Sequence, residues 1–201
     1  MPGIFITATD TNVGKTLIAA GLVNFFKNQG INAGYMKPIS CSQDNDAVFV
    51  KKLLKLKDQL ALINPISLPY PLSPLATVRK AKIKIDLKKI KRAFTVLSKK
   101  YDLVVVEGVG GAFVPITEKI MIADLIKQLK IPTIIVARAS LGTINHTLLT
   151  VEALRKRKIK IQGIIMNGYT GDELSEDDNA DIIYKITGIP ILAKIPWMKK
   201  L

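Results

Sequence analysis

Residues 7–16 read TATDTNVGKT, and their neighbours decide how they are understood. Before them GIFIT (3–7) is an apolar run of strand character; after them apolar residues recur at helical spacing from Lys15 to Gln29, until Gly30 ends the pattern. A strand that opens through a polar, glycine-containing loop into a helix is the setting in which Gly14-Lys15-Thr16 has chemical meaning. At such a helix start successive backbone N–H groups wrap phosphate oxygens, Lys15 reaches the β- and γ-phosphates, and the Thr16 hydroxyl is placed for Mg2+. The common pattern G-x-x-x-x-G-K-[ST] asks for glycine where this chain has Thr9. The competing reading is a helix start whose lysine is simply solvated.

Outward from this loop the chain alternates. Strands are expected near 33–36, 102–106, 132–137, 161–167 and 191–195, and helices before residue 57 and near 86–99, 120–129, 143–157 and 177–186. The segment 62–75 holds four prolines and reads as a loop. Such β-α alternation predicts an α/β fold, a mostly parallel central sheet with helices on both faces, and ligands at the carboxyl ends of the strands. The length of 201 residues suits one domain spanning 1–201.

Four further places carry chemistry. Glu107-Gly108-Val109-Gly110-Gly111 follows the unbroken valine run of DLVVV (102–106), which puts a carboxylate and a permissive backbone at a buried strand's end. It is suited to hold Mg2+ or orient an attacking group; the alternative is a solvated turn. Asp46, in Asp44-Asn45-Asp46, reads either as a helix cap or as a second Mg2+ carboxylate. Lys37-Pro38 ends the second strand, so its amine too projects over the sheet edge, where an anionic group between it and Lys15 would relieve their repulsion. Near the middle of the chain Leu141-Gly142-Thr143-Ile144-Asn145-His146 opens a helix whose free N–H groups attract a carboxylate. Asn145 and His146 serve equally as local caps, and His146 reads as structural.

Composition bounds the rest. The net charge of +14 invites a polyanion partner, but the lysines of 51–57, 79–92 and 155–160 interleave with Leu and Ile as solvated helix faces do, and aromatic residues to stack bases are scarce there. Nucleic acid is the minority reading. No apolar run reaches membrane-spanning length, and a single cysteine, Cys41, can form no intrachain disulfide, so a cytoplasmic location and no membrane partner are expected.

Six segments, in order, resemble the dethiobiotin synthetase family. TATDTNVGKT resembles its G-T-D-T-x-V-G-K-T loop, GYMKPI (34–39) its K-P motif, and NDA (45–47) its metal-binding aspartate. VEGVGGAFVPI (106–116) is similar to its glutamate loop, LGTINHTLLT (141–150) to its interface helix and IPWM (195–198) to its C-terminal nucleotide segment. The resemblance implies a P-loop NTP hydrolase fold and a cyclo-ligase forming C–N bonds. With ATP and Mg2+ it would carboxylate and close 7,8-diaminopelargonate to dethiobiotin, ADP and phosphate, through a carbamate and a carbamic–phosphoric anhydride. By position, the resemblance puts Lys15 and Lys37 at the transferring phosphoryl and the carbamate, with Thr11 in the same anion pocket, and Thr16, Asp46 and Glu107 on Mg2+. It puts Asn12, Val13, Gly14, Leu17, Gly108, Val109 and Gly110 around the nucleotide, and Asn167, Pro196, Trp197 and Met198 at the base; a core position capping the last strand is the alternative for Trp197. Cys41, Gly111 and residues Leu141, Gly142, Thr143, Ile144 and Asn145 fall at substrate positions, the last five from a second subunit, so a homodimer is implied.

Three departures stand out. Ala8 replaces a glycine, which restricts the backbone at the loop's head; Asn12 replaces an acidic residue; and Cys41 replaces a Ser or Thr, a stronger hydrogen-bond donor, with Ser40 or Ser42 as stand-ins. A partitioning ATPase acting on DNA or membrane is the rival of another class, but such loops carry an early lysine and residues 8–13 hold none. The related cobyrinate synthases need a glutaminase domain for which this chain is too short.

Overall fold

The computed structural model describes residues 2–41, 46–172 and 174–198. Strand β1 (Gly3–Ala8) is the hub, because all six of its residues are buried and it pairs on both sides, with β5 (Leu103–Glu107) and β6 (Thr133–Arg138). The sheet continues outward to β2 (Ala33–Met36) on one side and to β7 (Ile161–Tyr169) and β8 (Ile191–Pro196) on the other, giving the order β2-β5-β1-β6-β7-β8 with every ladder parallel. Parallel strands buried on both faces need apolar side chains at every position, which is why the valine run of β5 does not alternate.

The pleat divides the core in two. Phe5, Val104, Val106 and Ile135 face α5 (Leu87–Lys100), α6 (Ile122–Leu129), α7 (Thr143–Lys156) and α8 (Ser175–Thr187). Ile4, Ile6, Val105 and Val136 face α1 (Lys15–Asn28), α2 (Asp46–Leu53) and α3 (Leu60–Ile63). Helix α5 shows the logic of the basic runs: Asp86 caps it by accepting from the Lys88 amide at 2.9 Å, Ile90, Ala93, Phe94 and Leu97 are buried, and Lys88, Lys89, Lys91 and Arg92 are exposed. The lysines there are a solvated face, as the spacing predicts.

The expected loop at 62–75 is corrected. It contains β4 (Ile66–Leu68), which pairs in parallel with β3 (Ile39–Cys41), and it runs into α4 (Pro74–Ala81). Buried Asn64 makes this possible: its amide donates to the Lys37 and Ile66 carbonyls at 2.7 and 3.1 Å, and its Oδ1 accepts from Ser40 at 2.9 Å. One side chain thus satisfies backbone groups that proline-rich sequence leaves without regular partners. The helix expected to run to residue 57 stops at Leu53. Among the described residues no helix is long and apolar enough to cross a membrane.

Candidate active site

The carboxyl ends of β1, β2 and β5 bring the sequence-selected residues together. The loop after β1 turns on Gly14, whose φ of +90° lies in the left-handed region. A side chain there has no room, since a Cβ would lie 2.3 Å from Nδ2 of Asn167, which itself donates to the Val13 carbonyl at 2.9 Å. Lys15 opens α1, is nearly buried, and donates to the Asp10 carbonyl at 3.0 Å. The Asp10 carboxylate accepts from the Thr11 amide at 2.7 Å and from Arg138 at 2.9 Å. The restriction expected at Ala8 does not arise: Ala8 is the buried last residue of β1, and neither it nor Thr9 has positive φ, whereas Asn12 takes that role at +57°. Asparagine tolerates the left-handed region better than most residues.

Glu107, at the end of β5, is fully buried. Its Oε1 accepts from the Thr16 hydroxyl at 2.8 Å and from Lys37 Nζ at 2.6 Å, and its Oε2 from the Tyr35 hydroxyl at 2.6 Å. Lys37 Nζ also pairs with Asp46 Oδ2 at 2.6 Å and donates to the Gly108 carbonyl at 3.3 Å. Asp46 sits in the first turn of α2, but its carboxylate is committed to this ion pair. Burial lowers the Lys37 pKa, yet Glu107 and then Asp46 outweigh it and the net shift is upward, so the amine stays charged. Burial first, then the Glu107 charge, push the Tyr35 phenol well up, which keeps its hydroxyl a donor.

Lys15 behaves oppositely. Burial, then the neighbouring Lys37 charge, bring its pKa down to about 8 against the pull of Glu107, Asp46 and Asp10. With a folded pKa below the unfolded one, the unfolded chain binds more protons from about pH 8 to the ordinary lysine range, so this group destabilises the fold below pH 8 and ceases to as pH rises. Lys37, with its raised pKa, contributes stability that is lost as pH rises through its folded value. The two effects have opposite signs and fall in successive pH windows, that of Lys15 below the ordinary lysine value and that of Lys37 above it. The kcat/KM for ATP, which reports the free enzyme, is expected to decline above about pH 8 as Lys15 loses its proton. A pH–rate profile checks this, and ATP affinity followed over the same pH range in Lys15→Ala, which has no amine to titrate, is expected to lose the step.

These groups line a cavity of about 650 Å3 that also takes Thr11, Asn12, Val109 and Gly110. Its far wall is Pro71, Leu72, Ser73 and Pro74, which the sequence reading missed as site residues; the signal available was Ser73-Pro74, an N-cap followed by proline at the first helical position of α4. Cys41 lines the same cavity, and burial raises its thiol pKa to about 11 despite the opposing Lys37 charge. Of its suggested stand-ins, Ser40 also lines the cavity, with its hydroxyl donating to Asn64 Oδ1, while Ser42 lies outside the described residues. Tyr35 was missed because within an apolar strand a tyrosine reads as core.

A second cavity, of about 250 Å3, is bounded by Asn12, Val13, Asn167, Arg138 and Trp197. Trp197 is 64% exposed on this wall, so the core-capping alternative is overturned. Pro196 and Met198 flank it without lining the cavity, and Leu17, Gly108 and Gly111 line neither cavity. Leu141, Gly142, Thr143, Ile144 and Asn145 line neither of these two cavities, although the preceding Ala139 and Ser140 line the second. His146 lies in the first turn of the same helix with its carbonyl accepting from Thr150.

The donor set Thr16, Asp46 and Glu107 is two carboxylates sharing the Lys37 ammonium and one hydroxyl bonded to Glu107 Oε1. It fits Mg2+, which binds through one or two carboxylates and completes its shell with water and substrate phosphates. No cluster of three His, Cys, Asp or Glu exists among the described residues, so no all-protein metal cage is built.

The family described as an AAA domain matches residues 2–201. The ATP-dependent dethiobiotin synthetase BioD of Endomicrobium trichonymphae is 44% identical over 195 residues, covering 94% of this chain and 90% of that one. That of Methanocaldococcus jannaschii is 43% identical over 197 residues, covering 94% and 91%. Among solved structures, the MinD cell division protein of Aquifex aeolicus aligns with a TM-score of 0.63 at 15% identity over 99% of this chain and 84% of that one. A ParA family ATPase of Chlorobium tepidum TLS aligns with a TM-score of 0.60 at 16% identity over 98% and 85%. At such identity the two structures establish the P-loop NTP hydrolase fold alone. The sequence relatives establish more: the chain belongs to the ATP-dependent dethiobiotin synthetase family of ligases.

Proposed function

We propose that this chain carries out the reaction its family's name denotes, in biotin biosynthesis: Mg2+- and ATP-dependent carboxylation and ring closure of 7,8-diaminopelargonate to dethiobiotin. One amine of the diamine takes up CO2 as a carbamate. A carbamate oxygen attacks the γ-phosphorus, the bond to ADP breaks, and a carbamic–phosphoric anhydride forms. The second amine then attacks the carbonyl carbon, phosphate leaves, and the ureido ring closes.

The observation that carries this reading is the pair of nearly buried lysines, Lys15 and Lys37, on one wall of a cavity with room for a second substrate beside the phosphate loop. Phosphoryl transfer asks a protein for positioning and positive charge rather than covalent chemistry. Lys15 holds the phosphates, Lys37 sits where carbamate and phosphoryl oxygens meet, and Thr11 joins them in the anion pocket. Thr16, Asp46 and Glu107 hold Mg2+, which when bound neutralises charge on the phosphate oxygens. The Val109–Gly110 backbone borders the triphosphate, and Asn12, Val13, Asn167 and Trp197 form the base side, with Pro196 and Met198 beside it. Cys41 and the loop 71–74 border the diamine.

The substrate carboxylate is taken by residues 141–145 of a second copy of the chain, so the working unit is a homodimer. What supports this is that 141–145 line neither of these two cavities of their own chain, and that Leu141 and Leu149 are 81% and 54% exposed.

Phosphate release from Mg-ATP, assayed with and without diaminopelargonate plus bicarbonate, is expected to need both additions, and mass spectrometry to show the ring-closed product. Release indifferent to the diamine, or stimulated by DNA, would overturn the reading.

A further inference from the structure

Glu107 is gripped at both oxygens, and the grip at Oε2 has no part in the reaction described above. In the β2–β5 ladder Tyr35 stands opposite Val105, two residues before Glu107 on the same face of the pleat. Its phenol therefore leans diagonally toward the carboxyl edge, a reach open to long side chains. There its hydroxyl donates to Oε2 at 2.6 Å, while Lys37, two residues along the same face, and Thr16 take Oε1. Tyr35 is 1% exposed and Glu107 is 0% exposed, so neither can exchange its partner for bulk water.

A terminal carboxylate torsion is broad and close to two-fold, so an unheld Glu107 could present either oxygen or both to a cation. Mg2+ demands near-ideal octahedral geometry, which makes a fixed single oxygen valuable. We propose that Tyr35 is a positioning residue for the metal: its hydroxyl pins Oε2 so that Oε1, beside the Thr16 hydroxyl, is the oxygen Glu107 presents to a divalent cation. The proposal rests on reading Glu107 as an Mg2+ ligand. Hydrogen-bond partners behind metal ligands commonly govern metal affinity by 10- to 100-fold.

The test is calorimetric binding of ADP to the purified protein with and without saturating Mg2+; the ratio of the two affinities is the metal coupling, and no turnover enters it. Tyr35→Phe keeps the ring and removes one oxygen. It is expected to cut the coupling by about tenfold or more while leaving metal-free ADP affinity unchanged. Tyr35→4-aminophenylalanine returns a weaker donor and is expected to give an intermediate coupling. If Tyr35→Phe does not fold, this second variant decides: an intermediate value supports the role and a wild-type value overturns it. A purely structural role for Tyr35 would lower the melting temperature without moving the coupling, and that result also overturns the proposal. Glu107→Gln, measured in parallel, separates the two layers. A wild-type coupling in Glu107→Gln removes the metal-ligand reading itself, whereas coupling lost in Glu107→Gln but kept in Tyr35→Phe removes only Tyr35.

Discussion

Lys37→Ala is expected to lower kcat by about 100- to 1000-fold, since removing one preorganised donor of positive charge typically costs about 2.7–4 kcal/mol of transition-state stabilisation. The amine is 3% exposed and touches both carboxylates, so the same change also costs stability. Without it, buried Glu107 faces Asp46 with no cation between them. Breaking a buried ion pair typically costs about 3–5 kcal/mol, a range that applies to the fully buried Lys37–Glu107 pair, while the Asp46 pair, its carboxylate 45% exposed, adds less. A cation at the same carboxylates supplies part of the missing charge, so Mg2+ is expected to raise the melting temperature of Lys37→Ala more than that of the parent. Turnover under saturating substrates and melting curves with and without Mg2+ check both halves. Unchanged turnover would remove Lys37 from the reaction, and unchanged metal-free melting would mean that the ion-pair network contributes nothing. Lys37→Arg is not a conservative control, because the planar fork spreads the charge that Lys37 concentrates between two oxygens.

Gly14→Ala is the second large effect. The backbone at φ +90° disfavours any side chain, at a typical cost of about 1–2 kcal/mol, and the new Cβ would meet Asn167 Nδ2 at 2.3 Å. The Asn167 amide then has to leave the Val13 carbonyl, or the loop has to unwind from the helix start. Either change spoils the array of N–H groups on which phosphate binding depends, so ATP affinity is expected to fall by more than about tenfold, the equivalent of 1.4 kcal/mol. The double variant Gly14→Ala with Asn167→Ala discriminates between causes. If collision dominates, Gly14→Ala costs less affinity in the Asn167→Ala background than in the parent; if the left-handed backbone dominates, it costs the same in both. Equilibrium nucleotide binding measures both, and an unaltered affinity in Gly14→Ala would show that the loop does not hold phosphate by this geometry.

Much of this was legible in the chain. The valine run before Glu107 reads as a strand buried on both faces, and the stretch from the apolar strand through Gly14-Lys15-Thr16 into an amphipathic helix reads as a phosphate loop, with a solvated lysine at a helix start as the competing reading. The element types from residue 87 onward followed the hydrophobic period within a few residues, because long helices and parallel strands impose different spacings on what they bury. The lysine-rich faces followed from the same spacing. The segment 62–75 was not legible, because proline content marks where regular backbone is interrupted and says nothing of a short strand pair secured by one buried side chain, Asn64.

The sequence by itself determined the order along the chain of the six main-sheet strands, the phosphate loop, and which of Lys15, Lys37, Asp46 and Glu107 lie at strand ends or helix starts, since those depend on neighbours within a few residues. Tertiary structure alone decided that Lys37 stands between Asp46 and Glu107, that Tyr35 reaches Oε2 of Glu107, that Asn167 packs under Gly14, and that residues 71–74 close the main cavity. Each of those is a contact between elements far apart along the chain. Such contacts are set by sheet register and by the volume left between packed elements, and a one-dimensional pattern of residue types encodes neither.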